Sequence, residues 1–199
     1  YYGDEIVPID KPIPAHLLGN MWAQSWSNIS DIVYDFDDTS SIDLTQIILD
    51  RELSEVEMVE IAESFFLSLG FDPLTDTFWD RSLFVKPKDR DVVCHASAWD
   101  IDSQKQDLRI KMCIQKNEED FITIHHELGH IFYYQAYADL PEVFQSGAND
   151  GFHEAVGDLL SLSITPSYLK DIDFISEEEA ERSKENAIGL LMKQALEGV

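Results

Sequence analysis

Through most of this chain apolar residues recur at three- and four-residue steps, the spacing that gathers them on one helical face. That periodicity limits the fold to a mainly helical body. Leu18, Met21, Trp22, Trp26, Ile29 and Val33 predict a helix over residues 14–35, with Pro14 in its first turn. Ser54 and Glu57 form a capping-box pattern ahead of Met58, Val59, Ala62, Phe65, Phe66 and Leu69, so a helix is expected over 55–69 and Gly70 ends it. Ser176 and Glu179 repeat the start signal for a helix over 177–197. Two more helical stretches, 118–138 and 152–164, are separated by a loop containing Pro141, Gly147 and Gly151. The exception is one small hairpin. Val92 to Ala98 and Leu108 to Ile114 are rich in strand-favouring residues, and the polar segment Asp100 to Gln106 reads as the turn, centred near Ser103 and Gln104. Such a hairpin sets Cys94 opposite Cys113 at a separation that suits a disulfide; the alternative is two buried free thiols.

With 44% hydrophobic residues in 199, the chain can bury a sizeable core, and no repeat, linker or low-complexity tract divides it. Its net charge of −25, from 39 acidic and 14 basic residues, sets aside nucleic acid and anionic membrane surfaces as partners. No apolar run approaches the roughly 20 residues that span a bilayer, and residues 1–15 lack the pattern of a signal peptide. The abrupt start at Tyr1 and stop at Val199 read as a piece of a longer protein or a trimmed chain. Asn28-Ile29-Ser30 is an N-glycosylation sequon and, with a disulfide, points to a secreted or extracellular setting.

Residues 126–130 read His-Glu-Leu-Gly-His inside the 118–138 stretch. Helix positions i and i+4 share a face, so His126 and His130 can present both imidazoles to one ion, and Glu127 can reach a metal-activated water without ligating. Taken alone, the run also fits buried, hydrogen-bonded histidines on an ordinary amphipathic helix. The downstream segment His153-Glu154-Ala155-Val156-Gly157-Asp158 strengthens the metal reading. A catalytic zinc takes three protein ligands and an open position, and Glu154 on an antiparallel neighbour completes a His₂Glu set. Asp158, one turn on, can hold the second ring N–H of a ligand histidine. His125 and His153 compete for the ligand roles, but each adjoins an assigned residue, and the turn of about 100° per residue should point both well away from the ion.

These residues resemble the angiotensin-converting enzyme family of zinc peptidyl dipeptidases. HHELGHIFYYQAYADLP and GANDGFHEAVGDLLSLS look like its zinc-binding segment, and CHASAWD, RIKMC and PAHLLGNMWAQSWSNI are similar to other family signatures in the same order, so the likeness spans nearly the whole chain. The resemblance implies a helical zinc-peptidase body with one small β-hairpin, part of a larger two-lobed helical fold, of which residues 1–199 are the central part. It implies Zn2+ held by His126, His130 and Glu154, Glu127 as catalytic base, Asp158 behind a ligand histidine, and a Cys94–Cys113 disulfide. It further implies oligopeptide substrates aligned along main-chain groups of Ala96 and Ala98 with His95 in contact, Gln24 near the substrate's C-terminal carboxylate, and release of C-terminal dipeptides.

Two departures accompany the likeness. The stretch between the cysteines is one residue longer than the family's usual spacing, which falls in the expected turn. The family's further substrate-carboxylate ligands, its oxyanion donors, its chloride-binding residues and its N-terminal lid helices have no counterpart in these 199 residues. A truncated, non-catalytic zinc- or peptide-binding homologue is therefore the alternative function.

Overall fold

The computed structural model describes residues 3–17, 42–149 and 151–185. They fall into two units, 43–168 and a second drawn from 1–42 and 169–199. Gln24, Asn28, most of the helix expected over 14–35 and the end of that expected over 177–197 lie outside the described residues.

In the first unit, α1 (Leu44–Asp50) leads into α2 (Glu55–Ser68). The capping box is formed: the Ser54 amide donates to Glu57 Oε2 at 2.8 Å and the Glu57 amide donates to Ser54 Oγ at 3.2 Å. Gly70 sits past the end with φ 94°, a backbone state that an L side chain resists. Met58, Val59, Ala62 and Phe66 form the buried face of α2. After α3 (Asp76–Arg81), two strands, β1 (Ser97–Asp102) and β2 (Asp107–Lys111), make an antiparallel pair.

The long helix α4 (Glu118–Ala138) is the spine of this unit, packing against α1, α2, both strands and α5 (Phe152–Ser161). Asn117 caps it by accepting from the Asp120 amide at 2.8 Å, and Glu118, Glu119 and Asp120 set negative charge at the positive end of the helix dipole. Phe121, Ile124, Leu128, Ile131 and Phe132 are its buried stripe. Phe132 stacks on Phe66 of α2 with ring centroids 4.3 Å apart and planes 15° from parallel.

The hairpin differs from its sequence expectation at both ends. Pairing begins at Ser97, opposite Lys111, and runs to Asp102, opposite Asp107, with an irregularity between Asp100 and Asp102. Residues 92–96 are outside the ladder, whereas Asp100 to Asp102 belong to it. Propensity reports which side chains suit a pleated surface and not which backbone finds a partner. The aspartates are held in the strand by what they bond: Asp100 accepts from Ser103 Oγ, and Asp102 accepts from the Lys105 amide at 3.2 Å and pairs with its Nζ at 2.6 Å. That tightens the turn to a short 3₁₀ segment, Ser103–Lys105, closed by Gln106 at φ 52°. The other edge of β2 is taken by residues 83–84, with the Met112 amide donating to Leu83 O at 2.7 Å and the Ile114 amide to Phe84 O at 2.9 Å. Asp107 ties α3 to β2, accepting from Arg109 at 2.7 and 2.8 Å and from Arg81 at 3.0 Å.

Cys94 and Cys113 are bonded, with Cα atoms 5.1 Å apart, so the free-thiol alternative falls. The expected stretch 152–164 is helical to Ser161, and α6 (Pro166–Asp171) follows. In the second unit α7 (Glu177–Glu185) starts from the expected capping box: the Ser176 amide donates to Glu179 Oε2 at 2.8 Å and the Glu179 amide to Ser176 Oγ at 3.2 Å. Among the described residues no helix is long and apolar enough to cross a membrane.

The disulfide closes a loop across 19 positions, for which loop-closure entropy gives about 3 kcal/mol. Replacing both Cys94 and Cys113 by Ala is expected to lower unfolding free energy by about that amount. Urea denaturation of both proteins under non-reducing conditions measures it.

Candidate metal centre and peptide cleft

His126 and His130 lie one turn apart on the face of α4 that meets α5, and Glu154 projects from the first turn of α5. Their polar atoms converge. His126 Nε2 is 3.1 Å from His130 Nε2, Glu154 Oε2 is 3.2 Å from His126 Nε2, and Glu154 Oε1 is 3.7 Å from His130 Nε2. Bonds of about 2.0–2.1 Å at tetrahedral angles place zinc ligands about 3.3 Å apart, so these three side chains could hold one such ion with little movement. Asp158 Oδ1 lies 3.0 Å from His126 Nδ1, leaving Nε2 of that ring turned to the cluster.

The approach of the two helices depends on two residues without side chains. A Cβ on Gly129 would stand 3.0 Å from Gly157 Cα, and one on Gly157 would stand 2.8 Å from Cε1 and Nδ1 of His126. The His126 ring therefore occupies the space that any side chain at position 157 would need.

Glu127 is almost wholly buried, and its Oε2 has no hydrogen-bond partner. Burial is the main cause that pushes its carboxyl above the usual range, with His126 opposing and Glu154 adding to the rise. An orphaned carboxylate oxygen beside two imidazoles and a second carboxylate is costly unless something fills the gap, and a metal with its water fits that demand. Burial likewise holds the His130 and His153 imidazoles below their ordinary values.

The cluster forms one wall of a cleft of about 320 Å³, shared by His126, Glu127, His130, Tyr134, His153 and Glu154. His95, Ala96, Ser97 and Ala98 line the same cleft. An adjoining space of about 520 Å³ runs past Cys94, Glu119, Asp120, Thr123 and Asp158. Three of the four sequence candidates for substrate contact thus line the same cleft as the metal candidates.

The two competing histidines are resolved differently. His125 points away as expected: it is fully buried, Nδ1–H donates to Phe121 O at 2.9 Å, and Nε2 accepts from Tyr168 Oη at 3.1 Å. His153 corrects its expectation. It does not turn well away from the cluster but lies behind His130, their Nδ1 atoms 3.3 Å apart, with its Nε2 3.1 Å from Tyr137 Oη. Rotation along α5 alone cannot foresee this, because the neighbouring helix brings His130 to it. Tyr134 and Tyr137, also missed, sit four and seven positions beyond His130, and that helical spacing was the available signal.

The sequence profile described as "Angiotensin-converting enzyme", of the Peptidase_M2 family, matches residues 1–199. The chain belongs to this family. It is 48% identical over 201 residues to angiotensin-converting enzyme of Bos taurus, an alignment covering 100% of this chain and 15% of that protein. The angiotensin-converting enzyme of Haematobia irritans exigua is 46% identical over 186 residues, 90% of this chain and 30% of its own length. That of Theromyzon tessulatum is 44% identical over 190 residues, 95% of this chain and 30% of its own. The chain therefore spans between 15% and 30% of these angiotensin-converting enzyme relatives.

Two stability measurements follow from the geometry. Gly157→Ala should cost about 1–3 kcal/mol by overpacking. Gly151→Ala, whose Cβ would meet only Asn149 Oδ1 at 3.8 Å, should be close to neutral. Burial pushes the His125 imidazole down to about 4. Its folded value lies below the unfolded one near 6.5, so the unfolded state binds more protons between those values and stability falls as pH drops through that window. The change is on the order of 3 kcal/mol, and urea midpoints at pH 7 and pH 4, with chelator present, should show a smaller loss for His125→Phe than for the unchanged protein.

Proposed function

We propose that this chain carries the zinc site and general base of a zinc-dependent peptidyl dipeptidase, an enzyme releasing C-terminal dipeptides from oligopeptides. The reading rests on one observation: the ligand atoms of His126, His130 and Glu154 converge beside the unpartnered buried oxygen of Glu127. Family membership supports the peptidase class, and the relatives' greater length supports reading residues 1–199 as part of a larger protein, for which we propose the central part of a catalytic domain.

Zinc, when bound, supplies a Lewis acid that polarises the scissile carbonyl and acidifies the attacking water. His126 and His130 would offer their Nε2 lone pairs and Glu154 its carboxylate. Asp158 would keep the proton of His126 on Nδ1. Glu127 would take the water's proton at Oε2 as the carbonyl is attacked and return it to the departing amine nitrogen. Desolvation favours that role, because a carboxylate raised towards the working pH is a stronger base. The peptide would lie extended along residues 95–98, where main-chain groups of Ala96 and Ala98 can add it as another strand, with His95 beside it. Chloride dependence and a Gln24 contact with the substrate carboxylate belong to the same proposal. The disulfide supports an oxidising, extracellular setting, in which Asn28 could carry a glycan.

In the complete protein, Glu127→Gln is expected to retain one equivalent of zinc while hydrolysis of an N-blocked tripeptide falls about 10²–10⁴-fold. Metal analysis and product chromatography read both. A near-normal rate removes Glu127 as the base, and products other than a free C-terminal dipeptide remove the cleavage rule.

A further inference from the structure

The two candidate ligand histidines have different supports. His126 has a carboxylate at its Nδ1, that of Asp158 at 3.0 Å. His130 has a neutral ring there: His153 Nδ1 at 3.3 Å, with His153 Nε2 in turn 3.1 Å from Tyr137 Oη. The His153 ring is fixed on several sides, its centroid 4.5 Å from Tyr133 and 4.7 Å from Tyr134, and Gly147 gives it room where a Cβ would stand 2.8 Å from Cδ2. Tyr137 is itself almost fully buried.

We propose that His153 and Tyr137 are positioning residues for the metal site, forming a His130–His153–Tyr137 relay that fixes the tautomer and orientation of His130. This rests on the zinc reading given above. With Nε2 of His130 committed to a metal, its Nδ1 carries the proton and must donate, so His153 Nδ1 must be the acceptor. A neutral imidazole that accepts at Nδ1 carries its hydrogen at Nε2, and Tyr137 Oη is placed to accept it. The chain of donors thus runs one way from His130 to the phenol. Both nitrogens of His153 are occupied, which explains why a histidine so close to the cluster is not a fourth ligand.

The test uses zinc alone on the complete protein, in competition with a chromophoric chelator. The unchanged protein should bind one equivalent; failure there removes the zinc reading itself and is distinguishable from failure of the relay. His153→Phe keeps the flat ring between the tyrosines but has no acceptor, and is expected to bind zinc about 10–100-fold more weakly. His153→Asn, whose Oδ1 can accept from His130, should recover most of the loss. Tyr137→Phe leaves both imidazoles in place and should show a smaller loss. Unchanged affinity in His153→Phe, with its urea midpoint in chelator preserved, overturns the relay. So does equal weakening by Phe and Asn, which would assign the effect to packing alone. Should His153→Phe not fold, unchanged affinity in Tyr137→Phe overturns it instead.

Discussion

The close crossing of α4 and α5 at Gly129 and Gly157 is the constraint on which the rest of the site depends. Here three side chains on two helices reach a common point where a Cβ on Gly129 would crowd Gly157 and one on Gly157 would crowd the His126 ring. Gly157 does double duty, since the space over its Cα is filled by the His126 ring. The cost of glycine inside a helix, about 1 kcal/mol each, is offset by packing that no larger residue can reproduce. Spacing along α4 would align two imidazoles on any amphipathic helix, and the glycine contact brings a carboxylate to meet them.

Around that crossing the polar groups divide into satisfied and unsatisfied ones. His125, one position before His126, has both ring nitrogens bonded and anchors α4 to Tyr168 in a dry environment. Glu127, one position after, is buried with an oxygen left over. Two residues on one helix are therefore treated in opposite ways: one has every polar demand met, and the other keeps a demand open beside the histidine pair. Asp107, held by Arg81 and Arg109, belongs to the first kind and secures the hairpin whose Ser97 and Ala98 line the cleft.

Much of this was legible because it is local. The capping boxes at Ser54 and Ser176 and the stripe along α4 each report on residues within one or two turns, and each appears where its pattern places it. The nearness of Glu154 and Asp158 to the histidine pair was also expected, because the two stand one turn apart on a helix that the loop after α4 turns back. The strand limits were not, because Asp100 and Asp102 carry turn-like side chains whose bonds hold them in the ladder. Nor was His153, whose place is decided by a ring on another helix. The short helices α1, α3 and α6, each under eight residues, are too brief for periodicity to register.

The placement of His126 and His130 in the middle of a 21-residue helix, on its most buried stretch, has a dynamic consequence. Backbone amides there have no local fraying route to solvent, so their hydrogen exchange should proceed only through opening of the whole unit. The Glu154 side chain, by contrast, is 65% exposed, so the rigid backbone of α4 fixes where the two imidazoles stand while the cleft leaves the cluster open to solvent.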